Sequence, residues 1–258
     1  MLVSVASAAA VLMSGCSALL GLEPGEAPPT LDAGDVADGA GGGGRSFCEL
    51  KQAMFCDSFD NPVLSNSWSQ AELKNAKAPT IDSVSATSPK YSLLFDLPAS
   101  ESGASPRGSR ILTGVDKVDF ASLRFGFSFR PEILLEYTEL AIFFISNRQS
   151  DDVRRINLWV TKDGLLTLGE QKFSPSKAAL KVIGAVKVDE WNELEVFYES
   201  APASESIRVT FNGAKIDYAP TLLAGGTRAN MGLEIGTYMP GATPAARFRY
   251  DDVFIDAK

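Results

Sequence analysis

The chain of 258 residues contains no histidine. That absence removes the commonest general base, the commonest metal ligand and every Ser-His or Cys-His arrangement, so any chemistry must rest on carboxylates, Lys, Tyr or Arg. Positive charge is scarce as well. Against 32 Asp and Glu stand 24 Lys and Arg, a formal net charge of −8, and no basic run interrupts the chain. Such a balance offers no broad attraction to nucleic acid or to anionic lipid. Cysteine is limited to three residues, Cys16, Cys48 and Cys56. The opening segment "MLVSVASAAAVLMSG" is apolar but too short to span a bilayer, which excludes an anchor helix there and leaves a signal-peptide core, residues 1–15.

The run "LMSGC" that ends at Cys16 resembles a bacterial lipobox, in which the cysteine becomes the lipidated first residue of the mature protein. Ser14 and Gly15 fit that pattern, Met13 stands where Leu is usual, and the first residues lack the Lys or Arg of an ordinary n-region. A cleaved secretory signal without lipid is the alternative. Ser17 after the cysteine points to the outer membrane or cell surface, with the lipid as the only membrane contact. Cys48 and Cys56 are then an even pair in an oxidising compartment, expected to form a disulfide worth about 2–3 kcal/mol on the chain-entropy estimate. Two thiols without histidine supply only half of a tetrahedral metal set.

Residues 16–46, including "EPGEAPPTLDAGDVADGAGGGGR", are free of aromatics and rich in Gly, Ala, Asp and Pro. Such a composition cannot bury enough apolar surface to fold and is expected to be a disordered tether reaching roughly 25–30 Å. From Phe47 to Lys258 the texture changes to short alternating segments. "RFGFSFR" alternates Phe125, Phe127 and Phe129 with small or polar residues, and "RINLWVT" alternates Ile156, Leu158 and Val160 with Asn157, Trp159 and Thr161. Asp163-Gly164 and Asn212-Gly213 read as two-residue hairpin turns. A dozen or so strands and no helix of ordinary length predict an all-β, antiparallel two-sheet sandwich in one domain.

The segments "FCDSFDNPVLSNSW", "DEWNELEVFY", "IRVTFNGAKI", "LEIGTY" and "YDDVFID" appear in an order that resembles the concanavalin A-like lectin and glucanase jelly rolls, a superfamily that includes laminin-G-like modules. The resemblance runs from Phe55 to Asp256 and implies a jelly roll. It implies no single function, because that fold carries lectins, hydrolases, lyases and adhesive spacers. The glucanases of the group place Glu-x-Asp-x-x-Glu on one strand face, which by order should fall near "RRINLWVT". Arg155, Asn157, Trp159 and Thr161 stand there instead, with no acid among them, which disfavours a retaining glycosidase. Many members also hold a structural calcium where the N-terminal segment meets the last strand. That implies Asp251 as ligand, with Asp57 to Asp60 beside it; hydrogen bonding of Asp251 to strand-end amides is the alternative.

Three further expectations concern side chains. Trp159, with Asn157 and Arg155 on the same strand face and Tyr238 near a loop mouth, has the equipment for stacking on a sugar ring, rim packing being the alternative. Glu193, Glu195 and Glu199 share a face; if "SAPASE" closes a hairpin with "SIRVTF", Arg208 lies across from Phe197 and diagonal to Glu195 and Glu199, which predicts a solvated cross-strand ion-pair ladder. Strict alternation through "YDDVFID" places Asp251 and Asp252 on opposite sheet faces. Together these features predict a lipid-anchored envelope protein, non-catalytic, that binds a glycan or another surface polymer. A polysaccharide hydrolase or lyase with an altered site and a structural or adhesive module are the rivals.

Overall fold

In the computed structural model, residues 46–88, 90–99, 107–116, 121–133, 138–146, 153–161, 163–173, 176–201, 204–219, 230–239 and 245–258 are described. They belong to one compact unit, Gly44–Lys258. Cys16 and residues 1–45 lie outside them, so the signal and the tether are not described. Two antiparallel sheets face each other, as the alternation predicted, and they make a jelly-roll sandwich. Sheet A runs β13 (Ala214–Tyr218), β12 (Ser204–Phe211), β11 (Asn192–Ala201), β6 (Ser122–Ile133), β15 (Ala246–Ala257), β4 (Ser92–Leu97) and β3 (Thr80–Asp82), with β1 (Phe55–Asp57) also paired to β15. Sheet B runs β10 (Ser176–Ala185), β9 (Leu165–Phe173), β8 (Val153–Val160), β7 (Thr138–Ser146), β14 (Asn230–Met239), β5 (Arg107–Asp116) and β2 (Ser69–Lys74). The core between them holds Phe125, Phe127, Phe129, Val196, Tyr198 and Val209 from sheet A, and Ile156, Leu158, Leu168, Leu233 and Ile235 from sheet B.

The turns follow from backbone conformation. Asn212 and Gly213 both have positive φ, 47° and 80°, and close the β12–β13 hairpin as two residues between Phe211 and Ala214. The β8–β9 connection is longer than expected. The amide of Thr161 donates to the Leu165 carbonyl and that of Gly164 to the Thr161 carbonyl, with Gly164 at φ 72°, so three residues separate Thr161 from Leu165. This is the hairpin in which a turn is followed by a left-handed glycine.

A five-residue helix, α1 (Phe47–Lys51), precedes β1 and begins with a capping box between Ser46 and Glu49. The Cys48–Cys56 disulfide forms as expected and ties α1 to β1, with Cα atoms 5.5 Å apart. Phe47 and Lys51 cover the Phe254 ring on the outer face of sheet A, the Lys51 Nζ lying 4.3 Å from its centroid.

β15 departs from strict alternation. Ala246, Phe248 and Tyr250 belong to the core, and so do Val253, Ile255 and Ala257, so the inward parity changes at Asp251–Asp252. A register shift against β6 falls between Asp251 and Phe254, and Asp252 has φ 54°, a conformation that Asp tolerates better than most residues. Before the change, Tyr250 crosses the core to sheet B. Its hydroxyl lies 2.6 Å from the Gly236 carbonyl and 3.0 Å from that of Leu140, donating to one at a time. Both acceptors sit where the β7–β14 pairing slips between Ile235 and Tyr238. Replacing Tyr250 by Phe keeps the ring and strands these carbonyls, so Tyr250→Phe should lower stability by about 1–3 kcal/mol in urea denaturation.

Candidate functional site

The outer face of sheet B gathers polar side chains from five strands, β5, β14, β7, β8 and β9. Gly236 is the register partner of Arg110 and has φ 146°; a Cβ there would come within 2.2 Å of the Ser109 carbonyl oxygen, so only glycine lets the two backbones approach. Arg110 then reaches both ways along the neighbouring strands. Its Nη1 lies 3.0 Å from Glu234 and 3.5 Å from Glu139, and its guanidinium lies 4.8 Å from the centre of the Tyr238 ring. These three charged side chains are only 13–20% exposed, so their attraction is weakly screened.

Trp159 completes a row. It is the register partner of Glu139 on β7, which in turn is opposite Tyr238 on β14. The indole leans across β9 over Gly169, where a Cβ would meet Cη2 at 2.4 Å. Beside it on the edge strand β10 stand Leu180 and Val182, 66% and 43% exposed, which pair with Gly169 and Thr167 and so share this face. Asn157 is placed differently from the expectation of direct contact. It is buried, and its Nδ2 donates to Gln171 Oε1 at 2.9 Å, so it orients Gln171 from below. Its Oδ1 has no hydrogen-bond partner among the described residues. Arg155, the partner of Gln171 across β8–β9, is half-buried. Burial lowers its pKa, while Glu139 and Glu234 oppose that shift.

The structure therefore brings Arg155, Asn157, Trp159 and Tyr238 to one sheet face and adds Arg110, Glu139, Glu234 and Gln171. These four were missed because no local pattern joins residues so far apart in the chain. Gly236 left the one usable trace, an isolated glycine inside a strand pattern.

The residues expected to hold calcium are engaged with protein donors. Asp57 accepts the Phe59 amide at 2.8 Å and the Trp68 indole N–H at 2.8 Å; Asp60 accepts the Ser58 hydroxyl at 2.7 Å. Asp251 Oδ2 accepts the amides of Thr87 and Ser88, at 2.8 and 3.1 Å. Among the described residues no group of three acidic or cysteine side chains is gathered for a metal. This donor set is that of carboxylates held by amides and hydroxyls, and beside it Asp252 Oδ1 has no hydrogen-bond partner among the described residues.

Two expectations need correction. Asp251 and Asp252 do not point apart, because the parity change in β15 brings both to the Thr87 hydroxyl, at 3.0 and 2.7 Å. The glutamate ladder on β11 is also different. Arg208 does stand opposite Phe197, but it pairs with Asp217 at 2.7 Å, while Glu195 meets Lys51 at 3.1 Å and Arg124 at 3.7 Å. The hairpin partner β13 and helix α1 supply closer charges than the diagonal of β11.

Burial, and then the neighbouring charge of Asp252, pushes Asp251 up to about 7. A carboxyl raised above its unfolded value favours folding in its protonated form. Its contribution is full below the unfolded pKa near 4 and is lost as pH rises through about 7. Thermal melts should therefore show higher stability at pH 5 than at pH 8, and Asp252→Asn should flatten the difference.

No protein-family model matches this chain, and no curated protein matches it. Its sandwich is shared with solved structures. The endo-β-1,4-glucuronan lyase of the fungus Trichoderma reesei superimposes with a TM-score of 0.60 at 14% identity, over 80% of this chain and 96% of that one. The alginate lyase vAL-1 from Chlorella virus gives 0.53 at 12% identity, over 74% and 93%. The Bacillus licheniformis β-glucanase gives 0.51 at 11% identity, over 79% and 98%. At such identities the likeness establishes the fold, a two-sheet jelly-roll sandwich, and leaves the activity to be argued from the site.

Proposed function

We propose that this chain is an exported, lipid-anchored cell-envelope protein whose jelly-roll domain binds a glycan or another surface polymer without cleaving it. The observation that carries the reading is the outer face of sheet B. There Trp159 lies beside exposed Leu180 and Val182, and Arg110, Tyr238, Gln171 and two glutamates stand within the same face. An aromatic plane with apolar neighbours takes the C–H face of a sugar ring, and planar hydrogen-bonding groups fix its hydroxyls. Structural neighbours named as a glucuronan lyase, an alginate lyase and a β-glucanase support a glycan as the class of ligand. The acidic balance of the chain argues against nucleic acid.

The absence of cleavage is argued from charge. Glu139 and Glu234 converge on one Arg110 nitrogen, so each is engaged as an ion-pair partner of the guanidinium. A glycosidic acid must instead carry a proton to its leaving group. The pairing of Tyr238 with Arg110 favours a second reading, elimination on a uronate, in which Arg110 would neutralise the sugar carboxylate and Tyr238 would carry a proton.

A glycan array with the full chain tests the first reading. Trp159→Ala and Tyr238→Ala should each weaken the bound glycan about tenfold; full affinity in both variants removes this face as the site. Release of unsaturated products from a polyuronate, lost in Tyr238→Phe, would establish the second reading in its place. Anchoring is checked separately. Cys16→Ser should move the protein from the membrane fraction to the soluble one, and continued membrane association would refute a lipid on that residue.

A further inference from the structure

The outer face of sheet A carries a second, independent cluster. A transverse row crosses five strands, Asp217–Arg208–Phe197–Arg124–Asp256, each residue the register partner of the next. Phe197, half-buried, thus lies between two arginines. Over this row opens a cavity of about 310 Å³, a size that suits one or two sugar rings. Four cations, Arg124, Arg208, Lys215 and Lys258, line it against two acids, Glu195 and Asp256. A local surplus of positive charge on a chain of net charge −8 runs against the overall balance.

The acids of the row do not close the cavity to an anion. Arg124 meets Glu195 at 3.7 Å and Asp256 at 4.0 Å, both beyond hydrogen-bond distance. Arg208 is paired through its Nε to Asp217, which lies outside the lining, and the pair is more than half exposed. Lys215, partner of Thr210 on the edge hairpin, is exposed. Loose and solvated ion pairs of this kind exchange partners at little cost, whereas a guanidinium can hold a carboxylate or sulfate through two parallel hydrogen bonds.

We propose that this cavity is a second saccharide subsite, selective for a sugar that carries a negative group, a carboxylate or a sulfate ester. Phe197 receives the apolar face of the ring. Arg124 and Arg208 take the anion from either side, and Lys215 adds long-range attraction. The subsite lies on the sheet opposite the Trp159 face and does not depend on that face binding anything.

The test is an NMR and calorimetric titration of the full chain with trigalacturonate, a sulfated trisaccharide, a neutral trisaccharide and sodium sulfate. An anionic trisaccharide should bind and shift amides of β6, β11 and β12 rather than β7, β8 and β14, and binding should weaken as salt is raised. Arg124→Gln or Arg208→Gln should each reduce affinity about tenfold or more. Lys215→Glu, on an exposed edge and harmless to folding, should reduce it as well, while Glu199→Gln, outside the cavity, should not. Binding of neither anionic sugar overturns the proposal, as does equal binding of the neutral one. Full competition by sulfate alone would make this a free-anion site, and shifts confined to sheet B would move the ligand to the other face; either result also refutes it.

Discussion

A single phenol spans the sandwich and sets the frame on which the sheet B face stands. Tyr250 belongs to sheet A, yet its hydroxyl reaches the carbonyls of Leu140 and Gly236, which the slip between β7 and β14 releases from ordinary pairing. A bulge inside a sheet leaves backbone groups that water cannot reach, and each needs a partner. By supplying one from the opposite sheet, Tyr250 fixes the bulge. Directly above it, Gly236 admits the backbone of Arg110 and so places the guanidinium between Glu234, Glu139 and Tyr238. The core contact and the outer-face chemistry are thus two sides of one distortion.

The two outer faces differ in electrostatic character. On sheet B the charges are mostly buried and balanced around Arg110, so the face presents a preset geometry with an apolar border at Trp159 and Leu180. On sheet A the arginines are looser and more exposed, and α1 with its disulfide shelters only the end of the face around Phe254. Enclosed and balanced charge suits recognition of neutral hydroxyl patterns, while exposed positive charge suits anions.

The sequence was readable where a local pattern maps onto geometry. The alternation in "RINLWVT" correctly turned Trp159 outward and Leu158 inward, Asn212-Gly213 correctly closed a two-residue turn, and the cysteine pair formed its bond. It was unreadable where one residue changes the phase. Nothing in "YDDVFID" announces that Asp252 adopts a left-handed conformation, and that single rotation reverses the inward side of the strand and converges two acids predicted to diverge. The ion pairs were hidden for another reason. Arg110, Glu139 and Glu234 come from three separate strands, and only the folded register makes them neighbours.

The glycines of the outer face divide it into parts that can and cannot drift. Gly236 meets backbone on the side where a Cβ would grow, so any replacement must deform the strand itself. Gly169 meets only the rim of an indole and the tip of Leu180, which can rotate away. The border around Trp159 can therefore absorb a substitution by side-chain rotation alone, whereas the Arg110 position can change only together with the bulge beneath it.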